Sequence, residues 1–298
     1  MKTGFIGAGK VGFSLGRYFV NHGLEVTGYY DSDENAAKDA AQFTNTKHYE
    51  ELLPIVEDSD VLFLTVPDGI ISAVWEQIRV MPIKGRIICH CSGALTARDA
   101  FSGISDTGAF GYSVHPLFAV SDKYHSFEEL ETAYFTIEGD SEYLDRIKEL
   151  FSGFGNGVQS IDSSKKTMYH AAAAICSNQV TALVQQSISM LIECGFEPET
   201  ARKVLTPIMC GNLSHVAESG AVESLTGPVE RCDTGTVKKH LECLAKGEDR
   251  ILYTLLSRKL IKIAQEKNPK RDYSSMRKLC DETLEKEYAS VKEGACKQ

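Results

Sequence analysis

Residues 3–12 read Thr-Gly-Phe-Ile-Gly-Ala-Gly-Lys-Val-Gly, an apolar run that leads directly into glycines spaced as GxGxxG. The run Thr3–Gly7 is typical of a buried strand, and Lys10–Asn21 carries apolar residues at the three- and four-residue spacing of an amphipathic helix. A second β-type run, Glu25–Tyr30, ends at the acidic residue Asp31. This order of strand, glycine turn, helix, strand and acid predicts a βαβ unit that binds a dinucleotide.

The glycine motif gives each of its glycines a physical role. Gly7 permits a tight turn, Gly9 lets a pyrophosphate approach the backbone, and Gly12 lets the helix pack closely on the strand. Backbone amides at the start of that helix then bind the anion. A later strand that ends near Pro67 should border the same crevice. The predicted cofactor-binding residues are therefore Gly7, Ala8, Gly9, Lys10, Val11, Gly12, Asp31, Thr65, Val66 and Pro67.

Asp31 bears on the choice between NAD and NADP. A carboxylate at this position accepts hydrogen bonds from the ribose hydroxyls of NAD and repels the 2′-phosphate of NADP. Ser32 and Asp33 follow it, and no arginine or lysine occurs before Lys38. The sequence therefore favours NAD and leaves NADP open. The alternative role for Asp31 or Asp33 is to cap the next helix.

Strand-like and helix-like runs alternate through the first half of the chain. Strands are predicted at Thr3–Gly7, Glu25–Tyr30, Asp60–Val66, Arg86–Cys91, Ala109–Val114, Ala133–Glu138 and Gly157–Ile161. Amphipathic helices are predicted at Lys10–Asn21, Asp33–Gln42, Gly69–Val80 and Glu142–Phe154. The alternation indicates βαβ units and a mainly parallel sheet, which is the α/β Rossmann architecture.

After Ile161 the β-type runs stop. Helices are predicted from about Ser164 to Cys194 and at Glu197–Glu218, Asp233–Ala245, Asp249–Gln265 and Tyr273–Lys292. We therefore expect a dinucleotide-binding domain over residues 1–160 and an all-α domain over residues 161–298.

The charge of the chain narrows the range of partners. Its 298 residues include 32 lysines and arginines against 41 aspartates and glutamates, a formal net charge of −9. Nucleic acids and anionic membranes are bound through basic surfaces, so neither is expected as a partner. No apolar run approaches the ~20 residues of a membrane span, and the N-terminus leads into a strand, unlike a signal peptide. We expect a cytoplasmic protein.

The nine cysteines lie at positions 89, 91, 176, 194, 210, 232, 243, 280 and 296. Their odd number, their spread and the lack of a CxxC pair favour reduced thiols in a cytosolic chain. Only Cys89-His90-Cys91 resembles a metal site. On a strand, alternation would place the two thiols on one face and the imidazole on the other, so no metal site is predicted.

Further segments, taken together with the glycine motif, resemble one family. They are Thr65-Val-Pro-Asp68, His90-Cys-Ser-Gly93, Ser113-Val-His-Pro-Leu117, Tyr169-His-Ala-Ala-Ala173 with Ser177-Asn178, and Leu225-Thr-Gly-Pro228 followed by Arg231, Asp233, Thr236-Val237 and His240. The chain is similar, over nearly its whole length, to Rossmann-like proteins whose C-terminal half is a domain of unknown function. That family is related to the 6-phosphogluconate dehydrogenase and ketopantoate reductase superfamily.

The resemblance implies an N-terminal dinucleotide-binding domain, a C-terminal helical domain like that of 6-phosphogluconate dehydrogenase, and a homodimer built through the helices. Some members look like alternative ketopantoate reductases, which reduce 2-dehydropantoate. This sequence departs from the pattern twice. It has Asp31-Ser32-Asp33 where many members carry a Ser-Arg-Ser run suited to NADP, and Cys232 where glycine is common.

One helix offers candidate catalytic residues. Lys166, His170 and Asn178 are separated by four and eight residues, a spacing that predicts a single stripe on the helix. A cation or imidazole can protonate or polarise a carbonyl, and an amide can orient its oxygen. The superfamily resemblance implies that either Lys166 or His170 takes the place of a catalytic lysine. The alternatives are a solvated Lys166 and a core histidine, while an unsatisfied Asn178 amide in so apolar a segment would cost about 1–3 kcal/mol.

Two further candidates for substrate binding follow predicted strands. Ser92 offers a hydroxyl beside Gly93, and His115 precedes Pro116 on an element similar to the His-Pro of prephenate dehydrogenases. The alternative for His115-Pro116 is a rigid turn.

Arg231 lies between predicted helices and could bind a substrate carboxylate through both nitrogens. The alternative is a salt bridge to Glu230 or Asp233. Ser177, next to Asn178, completes the set of substrate-binding candidates.

These observations predict an NAD(P)-dependent oxidoreductase that transfers hydride to a small anionic 2-oxo acid, with ketopantoate as the best single substrate. A prephenate-like or 3-hydroxyacid dehydrogenase is the alternative enzyme. An NAD(H)-binding sensor or scaffold without turnover is the alternative from another class.

Overall fold

The computed structural model describes residues 1–295 of the chain, and the side chains of residues 1–290. Cys296 therefore lies outside the described residues. The chain divides into two compact units, Met1–Ala182 and Leu183–Gln298. The expected domain boundary near residue 160 falls earlier than this division and stays a prediction.

The first unit is built on one mainly parallel sheet. Its strands are β1 (Lys2–Ile6), β2 (Glu25–Tyr30), β3 (Lys47–Tyr49), β4 (Val61–Leu64), β5 (Ile87–His90), β6 (Phe110–Leu117), β7 (Tyr134–Gly139) and β8 (Gly157–Ser160). They lie in the order β3-β2-β1-β4-β5-β6-β7-β8. All neighbouring pairs are parallel except β6 and β7. This is a doubly wound Rossmann sheet, and its order reverses between β1 and β4.

Helices cover the sheet, as the alternating pattern predicts. In the first unit they are α1 (Lys10–Asn21), α2 (Glu34–Thr44), α3 (Leu52–Asp58), α4 (Asp68–Ile78), α5 (Ala97–Ala100), α6 (Ser126–Glu129), α7 (Leu144–Gly153) and α8 (Lys166–Ala174). Sequence analysis missed β3, α3, α5 and α6. All four are short, and none reaches the length at which periodicity identifies an element.

Two apolar clusters pack on the two faces of the sheet. Phe5, Phe63 and Cys89 belong to one cluster, and Leu62 and Ile88 belong to the other. On the first face Cys91 also packs, while His90 contacts Phe101 on the opposite face with ring centroids 5.4 Å apart. The alternation of Cys89-His90-Cys91 is therefore as predicted for a strand.

The second unit consists of helices. A π-helical turn at Ile175–Gln179 follows α8 and leads into α9 (Val180–Glu193), which crosses the division between the units. The later helices are α10 (Pro198–Ser224), α11 (Thr234–Cys243), α12 (Glu248–Lys267) and α13 (Ser274–Ala295). Val237, Ile261, Tyr273 and Met276 are central to their core. Within residues 1–295, no helix combines the length and apolarity that crossing a membrane requires.

Candidate active site

A cleft of about 400 Å³ lies where β1, β4 and β5 end, beside the reversal of strand order. In Rossmann folds this position is the ligand-binding crevice. It is lined by Gly9, Lys10, Val11, Leu64, Thr65, Val66, Pro67, Asp68, Cys91, Ser92 and Val120. The cleft therefore brings two groups of predicted cofactor residues, Gly9–Val11 and Thr65–Pro67, together with Ser92.

The three motif glycines have different surroundings. A Cβ on Gly7, whose φ is +109°, would lie 2.8 Å from the Thr65 carbonyl carbon. A Cβ on Gly12 would lie 2.3 Å from the Gly7 carbonyl oxygen and 2.4 Å from Thr65 Oγ1. Around Gly9 the protein leaves open space within 4 Å. The turn therefore needs Gly7 and Gly12 for its own packing, whereas Gly9 leaves room for a ligand at the start of α1.

Asp31 is tied to the glycine turn. Its Oδ2 accepts a hydrogen bond from the Ala8 N–H at 2.7 Å, and its Oδ1 accepts one from the Asp33 N–H at 2.9 Å. A carboxylate has about four acceptor sites, so both oxygens can still accept from ribose hydroxyls. Asp33, not Asp31, caps α2 by accepting from the Asn35 N–H at 3.0 Å.

Lys166, at the start of α8, is buried. Its ammonium donates a hydrogen bond to the Ser113 hydroxyl and lies 3.8 Å from Glu138 Oε1. Burial lowers the pKa of Lys166 to about 8, although the negative charges of Glu138 and Asp68 oppose the shift. The alternative of a solvated first-turn lysine is therefore wrong, because the side chain is only 1% exposed.

One turn further along α8, His170 is exposed and lies close to Gly93. A Cβ on Gly93 would be 2.8 Å from both His170 Cδ2 and His115 Nε2, so the two imidazoles flank this glycine. His115 Nδ1 also forms a hydrogen bond with the Tyr169 hydroxyl at 2.7 Å. Burial lowers the pKa of His115 to about 4, assisted by the nearby Lys166 and His170, so His115 is neutral at pH 7.

The Ser92 hydroxyl is already engaged within the protein. It donates to Asp68 Oδ2 at 2.7 Å and accepts from the Ala94 and Leu95 amides at 3.1 and 3.0 Å. These bonds fix the turn that carries Gly93. Ser92, which lines the cleft, and Gly93, which the two imidazoles flank, together form the Ser92–Gly93 wall.

Asn178 and Ser177 lie in the π-helical turn and are exposed. The Ser177 hydroxyl contacts the Ala173 carbonyl at 2.8 Å and the Asn178 side-chain oxygen at 3.1 Å. No burial cost therefore acts on the Asn178 amide, which corrects the argument from its apolar neighbours. In a regular α-helix Asn178 would sit about a third of a turn away from Lys166. The wider π turn reduces this angle, and such turns are frequent at functional sites.

Arg231 lies in the second unit, on the exposed turn before α11. Its expected partners are bound elsewhere: Glu230 accepts from Asn268 and Arg271, and Asp233 caps α11 through the Thr236 N–H. Within the described side chains, the Arg231 guanidinium forms no ion pair.

Cys232, the next residue, has a φ of +58°. It therefore adopts the left-handed conformation that explains why glycine suits this position.

Sequence analysis missed Glu138, Ser113 and Tyr169. Glu138 and Ser113 are opposite each other in the β6–β7 ladder. Both are buried on the face opposite Tyr112, Val114 and Ile137. A usable signal was present, because a lone carboxylate in an otherwise apolar strand requires a buried partner.

Two protein-family models match successive parts of the chain. A Rossmann-like domain model matches residues 1–116, and the model described as a domain of unknown function, DUF2520, matches residues 133–260. The chain combines a Rossmann-like domain with a DUF2520 domain. The resemblance stated from its motifs is thereby confirmed, as are the Rossmann sheet and the helical C-terminal region.

Individual relatives of this Rossmann-like, DUF2520 chain share 30% or less of its sequence over the matched residues. It is 30% identical over 96 residues to YqeC of Bacillus subtilis, named as a candidate 6-phosphogluconate dehydrogenase, and the match spans 32% of each chain. Protein TM1727 of Thermotoga maritima is 27% identical, with a TM-score of 0.71 over 89% of this chain and 98% of that one. A 1-pyrroline-5-carboxylate reductase of Streptococcus pyogenes is 13% identical, with a TM-score of 0.59 over 97% and 98%, and shares the fold.

Proposed function

We propose that this protein is an NAD(P)H-dependent oxidoreductase acting on a small anionic 2-oxo acid. The observation that carries the proposal is the junction at Ser92 and Gly93. Ser92 lines the dinucleotide cleft, and Gly93 is flanked by His115 and His170. A dinucleotide bound from Gly9 towards Ser92 would end beside these imidazoles. The names of the dehydrogenase and reductase relatives are in keeping with such chemistry.

The chain's own residues fit the roles that carbonyl reduction requires. When bound, a nicotinamide cofactor supplies the hydride. His170 is the group we assign to proton donation, because it is exposed beside Gly93 and can contact a ligand. Lys166 is too buried to touch a substrate, so we assign it no direct contact in the reaction. Neutral His115, held by Tyr169, is suited to orient a polar group of the substrate.

Asn178 and Arg231 complete the proposal. His170 and Asn178 are about 12 Å apart along a helix axis, so the amide is suited to a different polar group of the ligand from the one that His170 protonates. We propose Arg231 as a residue that binds a carboxylate, because its guanidinium is not paired with Glu230 or Asp233. Ketopantoate is the substrate we propose, because it offers a carbonyl, a hydroxyl and a carboxylate.

For the cofactor we propose NAD over NADP. Asp31 places a carboxylate at the end of β2, and Lys38, the first cation after it, is paired with Glu34 at 2.5 Å. A 2′-phosphate would therefore meet a carboxylate and no free lysine from this segment.

We also propose that the helical region forms a homodimer. In α10, which is described throughout, Ala201 alone is buried. The same helix exposes Val204, Ile208, Leu213 and Val216 by 50, 70, 47 and 38%. An apolar face of this kind is typical of an oligomer interface, and a second copy of the chain is the partner we infer. Ile208→Glu should yield monomers in sedimentation, whereas Lys203→Glu on the same helix should not.

The function is tested by measuring NADH oxidation with a panel of 2-oxo acids that includes ketopantoate. Prephenate and 3-hydroxyacids are assayed separately, in the oxidative direction. We expect turnover of a 2-oxo acid, with a lower KM for NADH than for NADPH. Tight NADH binding without turnover of any compound would contradict the enzyme and support a sensor.

A further inference from the structure

The buried pair of Lys166 and Glu138 has no role yet in the proposed reaction. The two side chains are 1% and 2% exposed, and the ammonium lies 3.8 Å from Glu138 Oε1. A buried charge is costly unless it is paired and hydrogen-bonded. Glu138 meets that condition, since Oε1 accepts from the Ala97 N–H at 2.7 Å and Oε2 from the Ser163 hydroxyl at 2.8 Å. The carboxylate is therefore fixed independently of Lys166.

Strand pairing explains why Lys166 has these two neighbours. Ser113 on β6 and Glu138 on β7 are directly opposite in the antiparallel ladder, so their side chains lie on the same face of the sheet. The Lys166 side chain extends from the start of α8 to this pair. Ser113 Oγ in turn donates to the Ser92 carbonyl at 3.3 Å, which links the lysine to the turn that carries Gly93.

The direction of these hydrogen bonds depends on the charge of Lys166. An ammonium has donors only, so Ser113 must accept from Lys166, and its own hydrogen remains for the Ser92 carbonyl. A neutral amine has a lone pair that can accept from Ser113 instead, and the Ser92 carbonyl then loses its partner. The charge state of Lys166 thus decides whether Ser113 donates its hydrogen bond to the Ser92 carbonyl.

We propose that Glu138 is a positioning residue that keeps Lys166 in its ammonium form against Ser113, and thereby fixes the Ser92–Gly93 wall and the electrostatic field on His115. The inference rests on the proposed function only in treating that wall as part of a substrate site. The ionisable groups that face Lys166 are Glu138, Asp68, Cys91, His90 and His115. Burial raises the pKa of Cys91 to about 12, so the thiol is neutral and the counter-charges come from Glu138 and Asp68.

The test uses His115 as an internal reporter, read from its imidazole carbon–hydrogen NMR signals during a pH titration of the full chain. Once His115 is neutral, its signals still respond when the nearby ammonium loses its charge, so they should show an alkaline step near the Lys166 pKa of about 8. Lys166→Met removes the charge, so this step should vanish and the pKa of His115 should rise. Glu138→Gln should move the step to lower pH, because Lys166 then loses its proton more readily. The double variant should show no step, like Lys166→Met.

Two further variants keep the test decisive. Ser163→Ala removes a hydrogen bond to Glu138 but leaves its charge, and should leave the alkaline step in the His115 signals at the wild-type pH. Glu138→Asp keeps the charge on a shorter side chain and should give an intermediate shift of the step, so a conclusion remains available even if Glu138→Gln does not fold. A step that vanishes in Lys166→Met but stays at the wild-type pH in Glu138→Gln and Glu138→Asp would overturn the proposal.

The pH dependence of activity provides a second, independent test of the same proposal. Loss of an opposite charge at this range shifts a pKa by about one unit or more. In Glu138→Gln the alkaline limb of kcat/KM should therefore move about one pH unit lower, with KM for NADH unchanged. The NMR shift does not require turnover, so a chain that reduces no 2-oxo acid contradicts the proposed function alone.

Discussion

Replacing Gly9 by alanine separates the two reasons for which a GxGxxG turn contains glycine. Gly9 has φ −71° and ψ −176°, which alanine adopts without strain, and an added Cβ would meet no protein atom within 4 Å. Removing a glycine from the unfolded chain stabilises a protein by about 0.4–1 kcal/mol where the native conformation is compatible. We therefore expect Gly9→Ala to fold with unchanged or slightly higher stability.

Its dinucleotide affinity should nevertheless fall. The open space at Gly9 is where a pyrophosphate would approach the first amides of α1. Losing one such hydrogen bond to a charged group costs about 1.5–3 kcal/mol, which corresponds to about 10- to 150-fold in Kd. The assay is an NADH titration by protein fluorescence quenching, combined with the thermal midpoint of each variant.

Gly12→Ala provides the matched control. Its Cβ would lie 2.3 Å from the Gly7 carbonyl oxygen and 2.4 Å from Thr65 Oγ1, so the strand, the helix or both must move. Overpacking of this kind costs about 1–3 kcal/mol. We expect a lower midpoint in Gly12→Ala, and weaker NADH binding without a lower midpoint only in Gly9→Ala. A Gly9→Ala protein that is stable and binds NADH within twofold of the wild type would refute the assignment of this cleft.

Three other substitutions test separate parts of the proposal. Asp31→Ser combined with Ser32→Arg should weaken NADH binding about tenfold and strengthen NADPH binding. The change replaces a carboxylate that accepts hydrogen bonds from the ribose with a guanidinium that donates to a 2′-phosphate. An unchanged ratio of the two Kd values would show that Asp31 does not determine cofactor choice. His170→Ala should lower kcat by a factor of about 10²–10⁴ with little change in NADH affinity, and stopped-flow and binding data would contradict the assignment if kcat survived. Cys232→Gly should relieve a left-handed backbone that costs about 1–2 kcal/mol and so melt above Cys232→Ala, which keeps the strain; calorimetry showing the reverse order would argue against strain at this turn.

The sequence predicted most of the sheet because the strands other than β3 carry a strong local signal. Glu25–Tyr30 and Lys10–Asn21 match the observed bounds of β2 and α1, since glycine, histidine or acidic residues end each run. β3 spans only Lys47–Tyr49 and has no periodicity to detect. The antiparallel pairing of β6 with β7 was also beyond local pattern, because pairing is decided by contacts between distant segments.

The candidate site was predictable where it depends on backbone shape and less so where it depends on burial. The glycine turn and Asp31 follow from spacing alone. The environment of Lys166 does not, because one lysine at a helix start looks the same whether its face meets water or the Ser113–Glu138 pair. Asn178 shows the converse, since its apolar neighbours indicated burial while the described helix leaves it exposed.

Burial also distinguishes the two candidates for proton donation. Burial lowers the pKa of Lys166 to about 8, but only 1% of its side chain is exposed and its ammonium donates to Ser113. His170 is exposed one helical turn away and adjoins the same Gly93 wall. A group must reach the substrate before its pKa can matter, so we propose the exposed imidazole as the proton donor and assign no direct contact with the substrate to the lysine. The division leaves each residue with an effect of its own: loss of His170 should act on kcat, and loss of the Lys166 charge should appear first in the titration of His115.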